Sequence, residues 1–389
     1  MTQSLRPIPF IDLQTQRARL GRRIEERIER VLAHGAFVMG PEVLELEQQL
    51  AGFTGARHCI SCANGTDALQ MALRAREIGP GDAVIVPAFT FVAAAETVSL
   101  VGATPVFADV CEEDFNLDPE SIRPALAAAR AAGLRPAGII AVDLFGHPAD
   151  YGRLEAIAEE EGLFLIADAA QSFGSALDGK RAGRFGHVTA TSFFPSKPLG
   201  CYGDGGALFT DDDELAAILR SLRQHGQGED RYDHQRVGIN GRLDSIQAAV
   251  LLAKLETFAE EIVARQEVAD EYGRALSAVA AVPVLRTGAS SVWAQYTIRV
   301  LERDRVAAAL KADGIPTAIH YPRPLHHQPA YAGSPIAATG LARSERLAGE
   351  VLSLPMHAYL DLATQDHIVA SLHRAVGGTG LGRAASGYR

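Results

Sequence analysis

Seven short runs between about residue 58 and residue 210 are rich in strand-forming residues, and most are apolar almost without interruption: His58–Cys62, Ala83–Pro87, Thr104–Asp109, Ala137–Val142, Leu163–Asp168, Val188–Phe194 and Ala207–Thr210. A strand with one wet face alternates polar and apolar residues. A strand covered on both faces does not, so these runs read as strands of a sheet sandwiched between helices. Helix-patterned stretches such as Thr66–Arg76 and Tyr151–Glu161 fall between them and supply the covers. The alternation predicts an α/β domain with a largely parallel sheet. Seven runs make that sheet wide, so one large domain is expected rather than two small ones.

A second, smaller α+β domain is expected behind it. Asp244 to Leu276 reads as one long helix, with apolar residues at Ile246, Val250, Leu251, Leu255, Phe258 and Ile262 and Asp244 as its N-cap. Val292–Val300 then reads as a strand, Arg303–Asp313 as a helix and Thr317–His320 as another strand. The expected division is residues 1–250 for the large domain and 251–376 for the small one. Residues 377–389, with five glycines in thirteen, are expected to form a mobile tail. At the front, Leu13–His34 reads as a single Arg/Glu-rich helix leading into a loop, Gly35–Pro41.

Composition excludes several functions. The 37 basic residues against 47 acidic ones give a net charge of −10, which disfavours nucleic acid as a partner. No apolar stretch approaches the roughly 18 uncharged residues of a membrane span, and the opening MTQSLRPIPFIDLQTQRAR lacks the pattern of a secretory signal. Four cysteines are too few for a disulfide scaffold, so a cytoplasmic setting is expected.

The chain has neither GxGxxG after a strand nor GxxxxGK[ST], so neither a Rossmann dinucleotide site nor a P-loop is supported. Cys59-Ile-Ser-Cys62 is a CxxC without a second pair, and Cys59 falls in a buried strand, where cysteine behaves as a small hydrophobe. No metal is expected. Three other features carry chemistry. Ala63-Asn-Gly-Thr-Asp67 follows a strand and opens a helix, where Gly65 and Thr66 suit an anion, although a capped glycine turn would look the same. Asp168 ends an apolar strand, at the crevice where α/β sheets bind ligands, or else caps a helix. Lys197, in Ser192-Phe-Phe-Pro-Ser-Lys197-Pro-Leu-Gly200, follows a buried strand among aromatics and prolines. Desolvation there lowers a lysine's pKa and makes it a nucleophile able to form a Schiff base. An anion cradle, a strand-end acid and such a lysine are together what pyridoxal 5′-phosphate (PLP) requires.

From Phe10-Ile-Asp-Leu13 to about Leu372 the chain resembles the DegT/DnrJ/StrS sugar aminotransferases. It shares with them Gly40-Pro-Glu-Val43, Asn64-Gly-Thr66, Asp168-Ala-Ala-Gln171, Ser192–Lys197, Asn240-Gly-Arg242 and His320-Tyr-Pro322. The resemblance implies PLP fold type I, the aspartate aminotransferase-like fold. It also implies a role for each matching residue. Lys197 matches the lysine that binds PLP, Asp168 the acid at the pyridine nitrogen and Gln171 the amide beside the ring hydroxyl. Gly65, Thr66 and Ser192 match phosphate contacts. Phe91 matches a ring stacked on the cofactor, with Phe89 as the alternative. Asn240 matches a residue that reaches the phosphate of the neighbouring subunit, which implies a homodimer with shared active sites. Arg242, His320 and Tyr321 match positions near the sugar. His147 departs from the pattern and receives no role.

Within the group, the string Ser192–Ala207 is most similar to enzymes that aminate a UDP-linked 3-keto-N-acetylglucosaminuronic acid for the 2,3-diamino sugars of bacterial surface polysaccharides. The implied amino donor is L-glutamate. Alternatives are a dTDP-linked 3-keto-6-deoxyhexose, a 4-keto sugar, or a PLP-binding regulator without turnover. The related dehydratases carry histidine where this chain has Lys197.

Overall fold

The computed structural model describes residues 7–230 and 232–377. The seven apolar runs are seven strands: β1 (His58–Cys62), β2 (Asp82–Pro87), β3 (Thr104–Ala108), β4 (Arg135–Val142), β5 (Phe164–Asp168), β6 (Val188–Ser192) and β7 (Gly206–Thr210). They form one sheet in the order β1-β7-β6-β5-β4-β2-β3. β7 runs antiparallel to both its neighbours, and the other pairs are parallel.

Burial on both faces is visible residue by residue. Ile140 and Ile166 enter one apolar layer, while their neighbours Ile139 and Leu165 enter the other. The first layer is covered by α4 (Gly65–Ala75), α5 (Ala93–Leu100) and α8 (Asp213–Leu222); the second by α6 (Pro119–Ala131) and α7 (Tyr151–Glu161). α3 (Pro41–Thr54) and the front of α9 (Ser245–Leu276) cover the β1–β7 end.

α9 belongs to two clusters. Val250, Leu251 and Phe258 pack with the large sheet. Val268, Tyr272 and Leu276 pack with β8 (Tyr296–Arg299), α10 (Arg303–Ala312), β9 (Val351–Leu354) and α12 (Leu362–Gly377). Residue 250, the expected division, thus lies inside a continuous helix. Of the expected tail, residues 378–389 lie outside the described residues.

Four expectations need correction. Leu13–His34 is two helices, α1 (Leu13–Leu20) and α2 (Arg23–His34), broken at Gly21 with φ +58°. Val292–Val300 shortens to β8, because Trp293 adopts φ +48° and leaves the extended path. Thr317–His320 is no strand; it makes a single bridge, Ala318 to Ser353 on β9. The next bonding positions along that edge fall to Pro316 and Pro355, which have no N–H, and to Val351, whose N–H goes to Leu347. Asp244 precedes α9 but makes no side-chain cap bond. Instead Ser245 fastens the helix start to the front loop, accepting from the Gly40 amide at 3.0 Å and donating to the Ala36 carbonyl at 2.7 Å.

Candidate active site

Two neighbouring strands deliver the reactive pair at the carboxyl end of the sheet. β5 ends in Asp168, which is 7% exposed. Among the described residues its carboxylate accepts one hydrogen bond, from the Ala170 amide at 3.0 Å. Burial raises its pKa, while the Ala170 bond and the charge of Lys197 pull it down. β6 ends in Ser192, and the chain turns through Phe193 to Lys197. Backbone bonds from Phe193 to Gly205 (2.7 Å), Cys201 to Phe193 (2.8 Å) and Lys197 to Phe194 (2.8 Å) fix that turn. Burial lowers the Lys197 pKa, against the pull of Asp168. An acid starved of donors thus sits within electrostatic reach of an amine reluctant to hold its proton.

The start of α4 closes a third side. The Asn64 side chain accepts from the Asp67 amide at 2.8 Å and its carbonyl accepts from Ala68 at 3.1 Å. That leaves the Gly65 and Thr66 amides as first-turn donors with no carbonyl before them. A Cβ on Gly65 would lie 2.8 Å from Ser192 Cβ. A Cβ on Gly206, which ends the β7 edge beside β6, would lie 2.5 Å from the Asn64 carbonyl. The missing side chains let the helix start sit against the end of β6. Gly65→Ala is therefore expected to weaken PLP binding by about tenfold or more. The same crowding should also lower the thermal midpoint of the cofactor-free protein, at a cost of about 1–3 kcal/mol, and PLP titration of the purified variant measures the first effect.

Gln171 and Tyr321 line the side beside Asp168. Gln171 Oε1 accepts from the Phe145 amide at 2.8 Å, which fixes the side-chain amide so that Nε2 faces the Tyr321 hydroxyl at 3.3 Å. Burial raises the Tyr321 phenol pKa. His320 is held by Ser353 at 3.0 Å, and burial and Lys197 lower its pKa. Phe89 and Phe91 separate cleanly. Phe89 is 1% exposed and packs on Phe115 and Tyr321; Phe91 is 52% exposed and lies 6.0 Å from the Tyr321 ring, so it has the free face.

Asn240 and Arg242 join the site through the backbone. The Gly241 carbonyl accepts from Ala63, the residue before Asn64, at 3.1 Å. Gly241 in turn donates to the carbonyl of Arg223, whose guanidinium is buried against Glu47 and Ser61. Asn240 is exposed and Arg242 half-buried, and among the described residues neither side chain has a hydrogen bond or ion pair. His147 lies apart, buried between Ser291 (2.9 Å) and the Trp293 ring (4.8 Å), with its pKa pushed down to about 3 by burial. The CxxC is inert: Cys59 and Cys62 are free thiols, buried in β1, with pKa values raised by that burial.

One contributor, Asp143, was absent from the sequence reading, and Asn64, present there as part of the helix-opening motif, had no role of its own: it caps α4 and so leaves the two amides free. Asp143 accepts from Ser172 (2.6 Å), Tyr151 (2.7 Å) and Ala149 (2.9 Å), locking the turn that carries Phe145 to Gln171. Burial pushes its pKa up to about 7. Its signal was available, since Asp143 ends the β4 run as Asp168 ends β5.

The residues fit PLP. Among the described residues the Asp168 carboxylate has no ion pair, so a ring nitrogen can supply its cationic partner; the Gly65 and Thr66 amides, close beside Ser192, offer donors to a phosphate; and Lys197 offers an amine that burial makes easier to deprotonate.

Known proteins share the sequence pattern and the fold. The model of the DegT/DnrJ/EryC1/StrS aminotransferase family matches residues 18–373. The UDP-2-acetamido-2-deoxy-3-oxo-D-glucuronate aminotransferase of Pseudomonas aeruginosa is 52% identical over 366 residues, covering 94% of this chain and 99% of that protein. The crystal structure of a DegT DnrJ EryC1 StrS aminotransferase from Brucella abortus superposes with a TM-score of 0.94 at 53% identity, over 95% of this chain and 100% of the other. NtdA from Bacillus subtilis, solved with bound cofactor PMP, has a TM-score of 0.86 at 28% identity, over 97% of this chain and 86% of that one.

Proposed function

The chain belongs to the DegT/DnrJ/EryC1/StrS aminotransferase family, and we propose that it moves an amino group from L-glutamate to C3 of a UDP-linked 3-keto-N-acetylglucosaminuronic acid. It is a PLP-dependent aminotransferase of nucleotide sugars. The observation that carries the finer reading is 52% identity over nearly the full length of both chains to an enzyme of that substrate. The product is a 2,3-diamino sugar for surface polysaccharide. Four free thiols, and no described helix long and apolar enough to cross a membrane, support a cytoplasmic setting.

Bound, PLP supplies an aldehyde that captures amines and a protonated ring that withdraws electrons from the adjoining carbon. The chain's residues do the rest. Gly65 and Thr66 amides, with the Thr66 and Ser192 hydroxyls, hold the phosphate. Phe91 would cover one face of the ring, Gln171 Nε2 would donate beside the ring hydroxyl, and Asp168 would keep the proton on the ring nitrogen. Lys197 Nζ, whose hold on its proton burial weakens, would carry the proton that leaves the substrate carbon. Asn240 reaches the phosphate across a homodimer interface, consistent with its exposure in the single chain.

On the sugar side stand Arg242, His320 and Tyr321. A uronate adds a carboxylate to the diphosphate, and an arginine with no ion pair of its own can receive it through two parallel hydrogen bonds. Arg242→Ala is expected to raise KM for the uronate sugar by about tenfold or more, and for the matching 6-methyl sugar by much less. Equal effects in steady-state kinetics on both would count against the uronate.

The substrate assignment is tested with protein preloaded with pyridoxamine phosphate. Candidate UDP- and dTDP-linked keto sugars are offered singly while the aldehyde-form absorbance is followed. The UDP-3-keto-uronate should restore it fastest, and a faster dTDP-linked or 4-keto sugar would overturn the assignment.

A further inference from the structure

Outside the active site, one group of side chains converges without serving the chemistry above. A single turn of 3-10 helix, Leu325–His327, places two adjacent imidazoles with ring centroids 4.1 Å apart. Both aim Nε2 at the same oxygen, Glu345 Oε1 on α11 (Ala342–Glu350), at 3.1 Å from His326 and 3.5 Å from His327. Neighbouring residues on so tight a helix normally point well apart, so their meeting on one oxygen is specific. In a tetrahedral zinc site with bonds of about 2.0–2.1 Å, ligand atoms stand roughly 3.3–3.4 Å from one another, and the two distances bracket that value.

We propose that His326, His327 and Glu345 form a binding site for a divalent transition-metal ion of the zinc class, with water completing the shell. Two imidazoles and one carboxylate are the ligand types such ions prefer, whereas magnesium and calcium favour oxygen alone. Exposure divides the roles: the His326 side chain is 9% exposed and fixed, while Glu345 is 50% exposed and leaves open the way in.

The site joins two segments that matter to catalysis. The 3-10 turn follows His320-Tyr321 and is pinned to the end of β2 by Leu325 N to Ala88 O at 2.8 Å. α11 leads into β9, whose Ser353 holds His320. A bound ion would clip both supports of His320 together, as a structural staple rather than a reacting centre.

The test uses the cofactor-loaded full chain, freed of metal by a chelator and titrated with zinc chloride in a calorimeter. A 1:1 event with micromolar or tighter affinity is expected, with a rise in the thermal midpoint and no comparable response to magnesium. Cobalt(II) should give the intense visible bands of a tetrahedral ion. His327→Ala and Glu345→Gln alter exposed side chains and should each weaken zinc by about tenfold or more while leaving the metal-free thermal midpoint and PLP absorbance in place. Absence of a stoichiometric event, or an event undiminished in both variants, overturns the site and leaves one hydrogen bond and one ion-pair contact to the same carboxylate.

Discussion

Lys197→Ala is expected to fold, to bind PLP through the phosphate cradle and to lose about 10⁴-fold or more in turnover. Folding should survive because the Lys197 side chain has no hydrogen bond among the described residues, so truncation strands no partner. The turn itself rests on backbone bonds from Phe193, Lys197 and Cys201, which alanine keeps. Turnover should not survive, because no other described side chain near Asp168 combines an amine whose pKa burial lowers with the freedom to move a proton. His320 is held by Ser353 and Tyr321 is engaged by Gln171. Lys197→Arg keeps a long basic side chain but stays protonated at all working pH, so it should not rescue the rate. Single-turnover measurements of each half-reaction, with thermal unfolding as the control, read both consequences. A variant within tenfold of the parent would remove Lys197 from the chemistry.

How far the sequence reaches depends on what each residue answers to. Strands buried on both faces are largely apolar, with buried exceptions such as Ser61, Thr189 and Thr191, so the seven runs stood out within a residue or two. Their ends shifted where side chains turn away: Asp109 leaves β3 because its carboxylate is taken by Ser344 and the Arg343 amide. Thr317–His320 has β composition but lies opposite a second proline, Pro355, a pairing no local pattern reveals. Lys197 and Asp168 were legible because charged residues ending apolar runs are costly without a purpose. Asn64 was legible as part of a helix-opening motif but not as the cap that frees two amides, and Asp143, though a charged residue at the end of an apolar run, shows its work of orienting other groups only through its bonds to Ser172, Tyr151 and Ala149 in the fold. His326, His327 and Glu345 converge only once α11 is packed, and nineteen residues separate their ends in the chain.

Asp168→Asn separates cofactor binding from cofactor activation. Asparagine is nearly isosteric and its carbonyl can still accept from Ala170, so fold and PLP affinity should change little. What disappears is the negative charge. At about 4 Å and an effective dielectric near 20, a carboxylate favours a protonated ring nitrogen by on the order of 4 kcal/mol, or roughly three pKa units. Without it, the ring nitrogen at neutral pH is mostly unprotonated and withdraws electrons poorly. Turnover should then fall by about 10²–10³-fold, in proportion to the lost protonated fraction. The sign of the pH dependence identifies the cause. Above the lowered ring pKa, each unit drop in pH raises the protonated fraction of the variant about tenfold, while the parent is already protonated. The deficit should therefore shrink as pH falls. Turnover of both proteins measured from alkaline to mildly acidic pH decides it: a gap that narrows places Asp168 at the ring nitrogen, and a gap constant across pH reduces it to a residue that merely shapes the pocket.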